Sequence, residues 1–207
     1  MRATLRLAAL TLCLLAFGAD IALAQGQGAQ GQGAQGPPAQ EQASQKPSTF
    51  SPGELLNEGH RFFGTVSRGL AEIVEKAVSR WGQPNGYILG QEGSGAFVVG
   101  LRYGDGKLYT KNAGDRRVFW EGPSIGFDTG GEGARTMMLV YKLPATEAIY
   151  QRFGGIDGSA YFIGGFGMTA LASGDIVIVP IRSGVGLRLG ANIGYLKFTP
   201  NATWNPF

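Results

Sequence analysis

The sequence is short of the residues that most catalytic chemistry requires. Among 207 residues there is one Cys and one His, too few for a His/Cys zinc site or a disulfide. Only 16% of residues are charged and the net charge is +3, which is too small a basic bias for a nucleic-acid binder. Long apolar runs are also absent: the longest stretch, Leu7 to Phe17, is shorter than the ~20 residues a spanning helix needs. Glycine is plentiful, with 35 residues. There is no G-x-y period, and 43% hydrophobic residues are too many for a disordered chain, so the glycines need an explanation within a fold.

Residues 1–24 read as a cleaved secretory signal. Arg2 and Arg6 form the charged start, Leu7 to Phe17 the apolar part, and Ala22-Leu23-Ala24 the small-x-small cleavage site. Cys13 leaves with that segment, so the exported chain is expected to be free of cysteine and without a transmembrane segment. Residues 25–49 alternate Gln, Gly, Ala and Pro without a bulky apolar side chain and are expected to form a flexible linker. The folded domain is expected over residues 50–207.

Ser51-Pro52-Gly53-Glu54 carries a capping box with Pro in the first turn. Beyond it Leu55, Phe62, Val66, Leu70, Ile73 and Ala77 share one stripe at 100° per residue, which predicts one long amphipathic helix ending before Gly82. Its polar face mixes Glu72 with Lys76, a pattern that suits packing on a core better than lying on a membrane. Gly59, Gly64 and Gly69 weaken such a helix by about 1 kcal/mol each relative to Ala, which suggests close approach to a sheet.

From Gly82 onward the period is two. Strands are expected at 87–89, 96–103, 108–111, 117–120, 124–128, 136–143, 159–169, 176–181 and 185–198, with a hairpin at Gly104-Asp105-Gly106, a turn at Asn112-Ala113-Gly114-Asp115 and a short helix within 144–153. In the last ribbon Gly184, Gly186, Gly190 and Gly194 share a face, and Gly164, Gly165 and Gly167 repeat the theme. A strand stripped of side chains on one side coils sharply or admits another backbone. The fold class is therefore mainly β: a small antiparallel barrel with one long N-terminal helix packed against it.

Motifs for chemistry are weak. Gly122-Pro123-Ser124-Ile125-Gly126 matches G-x-S-x-G, but that motif needs a strand, a turn and a helix, with a later acid and His; here a strand follows and His60 lies upstream. Gly106-Lys107 is not followed by Ser or Thr, and Gly131-Glu132-Gly133 lacks a third glycine, so neither nucleotide fingerprint is present. The acidic residues mostly occupy turns. No catalytic residue, metal site or cofactor is assigned. Arginines offer more: Arg102, Arg117, Arg135, Arg182 and Arg188 are spread along the strands, with Tyr103 and Trp120 as candidate walls. If they converge, they form an anion-binding patch for phosphate or carboxylate groups.

Several runs carry a resemblance. Pro84-Asn85-Gly86-Tyr87-Ile88-Leu89-Gly90, Gly100-Leu101-Arg102-Tyr103-Gly104, Leu108 to Asp115, Gly122 to Gly126, Arg135 to Tyr141, Arg152-Phe153-Gly154-Gly155 and the ending from Ile181 through Phe207 resemble the EipA (envelope integrity protein A) family. That resemblance implies a periplasmic protein of Gram-negative bacteria, a soluble barrel of roughly eight strands, a role in cell-envelope integrity and no established enzymatic activity. A looser similarity links the glycine-rich strands and Trp120 to Phe127 to SYLF domains, which bind lipids.

The resulting expectation is a non-enzymatic periplasmic protein that binds an anionic lipid or lipid-linked glycan of the envelope, or an envelope protein partner, and no nucleic acid. Two alternatives stand beside it. An outer-membrane barrel is opposed by Pro200 and Pro206 in the last strand, and a hydrolase would have to use Ser124.

Overall fold

The computed structural model describes residues 48–95, 99–125, 134–183, 194–203 and 205. The expected signal and nearly all of the linker lie outside them, as do Arg188 and most of the glycine ribbon at 184–193.

The predicted single helix is two. Helix α1 spans Pro52–Phe63 and helix α2 spans Arg68–Trp81. The capping box is present: the Glu54 amide donates to Ser51 Oγ, and the Ser51 amide donates to the Glu54 carboxylate. The chain leaves the helix at Gly64, whose φ of 77° suits glycine, and restarts at Ser67, whose Oγ accepts from the Leu70 amide. Arg135 Nη1 donates to Phe62 O at 2.8 Å, placing a cation at the carbonyl end of α1. The uninterrupted stripe concealed these caps because apolar spacing happens to continue through the break. Val66, assigned to the stripe, sits in the connection and is 89% exposed.

Ten strands follow: β1 Gly86–Gly95, β2 Val99–Thr110, β3 Arg116–Ile125, β4 Ala134–Tyr141, β5 Arg152–Gly155, β6 Tyr161–Ile163, β7 Phe166–Met168, β8 Leu171–Ser173, β9 Ile176–Ser183 and β10 Tyr195–Thr199. All described pairings are antiparallel, and eight of the strands close on themselves in the order β4-β1-β2-β3-β10-β5-β8-β9, with β9 pairing back to β4. Strands β7 and β6 extend from the far end of β9 as a hairpin. One turn of 3-10 helix, Thr146–Ile149, precedes β5. No described helix is long and apolar enough to cross a membrane.

Two expected breaks in the strands are absent. Gly104-Asp105-Gly106 is not a hairpin, because β2 runs straight through it while paired with β1 and β3. Likewise β3 continues through Pro123 and Ser124, opposite Leu101 and Gly100, so Ser124 itself lies in paired strand and not at a turn. The turn at residues 112–115 is where it was expected, between β2 and β3.

Alternation divides the apolar residues into two cores. Ile88, Leu108, Val118, Trp120, Met138, Val140, Phe153, Leu171, Ile178, Leu196 and Phe198 point inward and fill the barrel. Their neighbours Tyr87, Met137, Leu139, Tyr141, Val179 and Ile181 point outward on β1, β4 and β9 and pack beneath Leu55 of α1 and Leu70, Ile73, Val74 and Ala77 of α2. A Cβ on Gly69 would stand 2.5 Å from Gly164 O, and one on Gly59 2.8 Å from Leu70 Cδ2. The helix glycines therefore mark contact with the β6-β7 turn and with the other helix. Each helix covers the β1-β4-β9 side; β2, β3 and β10 carry their outer faces elsewhere.

Candidate functional site

The inner face changes character along the barrel. Beyond the apolar layers, Glu92 of β1 lies inside with its side chain 9% exposed, and Arg182 Nε stands 3.0 Å from Oε1 while Arg182 Nη2 donates to Oε2 at 3.2 Å. Nε itself is not angled to donate and has no hydrogen-bond partner. Arg102 is 3.8 Å from the same carboxylate and donates from Nε to Pro123 O. Trp120 Nε1–H completes the set, donating to Glu92 Oε2 at 2.9 Å. Burial pushes the Glu92 carboxyl up, but Arg182, Arg102 and the Trp120 donor outweigh it and hold the group below its ordinary value.

Register explains why these groups meet. Glu92 faces Gly104, and Gly104 faces Trp120 on the next strand. With no side chain at Gly104 the indole lies across that strand: a Cβ there would sit 2.2 Å from the ring. Glycine thus opens an indole slot within the barrel wall.

The expected arginine patch divides on the structure. Arg102 and Arg182 converge, but as partners of Glu92, Arg102 buried and Arg182 partly so. Arg135 serves the end of α1, and Arg188 is outside the described residues. Arg117 lies on the outer face with Tyr103, where the sheet carries a cleft of about 410 Å³. Trp120 borders this cleft, yet its side chain is 1% exposed and belongs to the interior.

The cleft is a product of register on the outer face. One row across the sheet holds Gly93, Tyr103, Glu121 and Lys197; the next holds Gln91, Asp105, Phe119 and Thr199. Gly93 leaves open space, since a Cβ there would meet nothing within 4 Å, and Ala202 and Thr203 of the C-terminal segment form the opposite wall. Arg117 Nη2 donates to Asp105 Oδ2 at 3.3 Å and its guanidinium lies 5.0 Å from the Phe119 ring centre. Glu121 is 2% exposed; Oε1 accepts from Thr203 Oγ1–H at 2.8 Å and lies 3.3 Å from Lys197 Nζ, whereas Oε2 has no hydrogen-bond partner. Carboxylate oxygens normally find donors when buried; this one is sealed from the cleft without a donor. Sequence reasoning found Tyr103 and Arg117 but missed Glu121, Gln91 and Phe119. The signal was available in the alternation of β2 and β3, had Gly104-Asp105-Gly106 been read as strand.

Among the described residues no cluster of His, Cys, Asp and Glu suits a metal. His60, on α1, has a buried Nε2 without a hydrogen-bond partner, and Ser124 lies in the extended β3.

The described residues form a closed antiparallel barrel with helices on one side and an open, mixed-polarity cleft on its outer face, and no catalytic constellation is visible among them. The chain belongs to the EipA family: the profile of envelope integrity protein A matches residues 48–207. A solved structure it resembles is a β-barrel-like, uncharacterized protein from Brucella abortus, 57% identical, with TM-score 0.73, covering 78% of this chain and all of that one. No curated protein matches the chain. Family membership carries a role in cell-envelope integrity.

Proposed function

We propose that this is a non-enzymatic protein of the periplasm that supports envelope integrity by holding an envelope component, a lipid headgroup or lipid-linked glycan, in the outer cleft of β1, β2, β3 and β10. The observation that carries this reading is the cleft itself. Its volume falls within the ~300–1,000 Å³ usual for ligand sites, and it combines aromatic walls with a few fixed polar groups. The arginines first expected to hold an anion support it less, because Arg102 and Arg182 are already engaged with Glu92 inside the barrel.

The signal-like residues 1–24 and the family's envelope role support export. Support for a binding role over a hydrolytic one comes from Ser124, which lies in paired strand and not at a turn.

The test is complementation of a strain lacking the gene, under detergent or antibiotic stress. Gly93→Phe places a ring in open space and fills the cleft without touching either core. The variant is expected to be folded, present at normal level and unable to restore resistance. Full rescue by folded Gly93→Phe would remove the cleft from the function.

A further inference from the structure

Among the described residues two large apolar side chains are exposed, Val66 at 89% and Phe162 at 37%. A single exposed apolar residue needs no explanation, but these two belong to one corner of the molecule. The backbone of α2 meets the β6-β7 turn there: a Cβ on Gly164 would stand 2.5 Å from Gly69 Cα. Val66 lies three residues before Gly69, in the connection between the helices, and Phe162 lies two residues before Gly164, on β6. Alternation turns Phe162 away from Tyr161, whose hydroxyl accepts from Arg80 of α2, so the two apolar side chains straddle the Gly164-Gly165 turn. Gly64, Thr65, Gly164 and Gly165 are exposed as well, and the corner projects into solvent.

Charge at this corner has one sign. Residues 59–71 contain Arg61 and Arg68 and no acid, and residues 158–174 carry no charged side chain. Arg135 adds a third cation, with Nη1 bonded to Phe62 O and 3.5 Å from where a Gly64 Cβ would stand. Glu58 and Glu72 pair with Arg61 and Arg68 from one turn along each helix, but the two arginine side chains remain 72% and 93% exposed, and such surface pairs hold weakly. A protruding apolar tip ringed by arginines matches the boundary of an anionic bilayer, where apolar groups enter the acyl edge and guanidinium groups meet phosphate. A stable protein interface takes about 800 Å² per side, far more than two short turns present.

We infer that this corner docks the protein onto an anionic lipid surface, with Val66 and Phe162 entering the interface, Arg61 and Arg68 meeting phosphate groups and Arg135 adding to the positive potential. The break between α1 and α2 is what puts Val66 at the tip, where a continuous helix would have laid it along the apolar stripe. The contact is independent of the outer cleft. It lies on the helix-covered side, while the cleft opens on β1, β2 and β3, so a docked barrel keeps the cleft free for its own ligand.

The test is co-sedimentation of the exported chain with vesicles of phosphatidylethanolamine alone and of phosphatidylethanolamine with phosphatidylglycerol, at low and high salt. Binding is expected to the vesicles that contain phosphatidylglycerol and is expected to weaken with salt. Val66→Asp should lower it roughly tenfold or more. Val66 stands outside both cores, so this variant keeps its fold, checked by an unchanged melting temperature. Phe162→Ser should lower binding as well, and Arg68→Glu should lower it and reduce its salt dependence. Absence of vesicle binding, or binding retained in full by folded Val66→Asp and Phe162→Ser, overturns the inference. Gly93→Phe, which fills the cleft, should sediment like the unaltered protein. Binding lost in Gly93→Phe yet kept in Val66→Asp would move the lipid contact to the cleft and overturn the assignment to this corner.

Discussion

Trp120 lies across Gly104, and its Nε1–H reaches Glu92 Oε2 at 2.9 Å over the strand that glycine leaves bare. The pair joins the barrel's apolar packing to its buried charges. A methyl at Gly104 would meet the indole at 2.2 Å and nearby Asp105 is fixed on the opposite face. Gly104→Ala is therefore expected to destabilise the domain by about 1–3 kcal/mol through overpacking, measured by urea unfolding. Trp120→Phe keeps much of the volume but strips a donor from a buried carboxylate, at a cost of about 1–3 kcal/mol.

Glu92 balances two arginines within the wall. Glu92→Gln leaves the guanidinium groups of Arg182 and Arg102 without their shared anion, and removal of one member of a buried ion pair costs about 3–5 kcal/mol. Glu92→Gln combined with Arg182→Met should recover part of the loss, since one cation leaves with the anion. A double variant less stable than the sum of its singles would contradict this coupling.

The break between the helices can be tested by its caps. Gly64 holds φ 77°, a region that costs an L-residue roughly 1–2 kcal/mol, so Gly64→Ala should lower the melting temperature although Ala is the better helix former. Ser67→Ala should cost about 0.5–2 kcal/mol by removing the cap of α2. In a continuous helix both changes would stabilise.

Stability should fall at both ends of the pH scale. Glu54 is held down at about 2, first by its hydrogen bond with Lys111 and then by Ser51. Its folded value lies below the unfolded one, so its contribution is present above about pH 4.5 and is lost as pH falls toward 2; Glu92, also lowered, acts in the same direction. At the alkaline end burial pushes Tyr87 up to about 12 and raises Tyr141 as well. Their contribution is complete below about pH 10 and is lost as pH rises toward 12. Lys111→Met should flatten the acid limb, and Tyr87→Phe the alkaline one, in melting temperatures recorded across pH.

The period-two pattern made the β class legible, and Ser51 to Glu54 made the start of α1 legible, because both are local. The split at Gly64 was hidden since a helix can stop and restart with its apolar face nearly in phase. Gly104-Asp105-Gly106 misled for a related reason: glycine serves equally in a turn and in a strand crowded by a distant ring, and only Trp120, sixteen residues later on the neighbouring strand, distinguishes them. The arginines could be counted but not placed. Glu92 was invisible as their partner until register aligned it with Arg182 and Arg102, and Glu121 depended on Thr203 and Lys197 arriving from the end of the chain.

The most direct measurement of the central claim is an amide and side-chain chemical-shift map of the isotope-labelled domain titrated with lipid-free envelope polysaccharide. The expected perturbations cluster at Gly93, Tyr103 and Glu121 in one row and Gln91, Asp105 and Phe119 in the next, while the Trp120 indole signal and the surroundings of Arg182 stay nearly still. Perturbations centred on Arg182, Arg102 and Glu92, or none at any cleft residue, would contradict it.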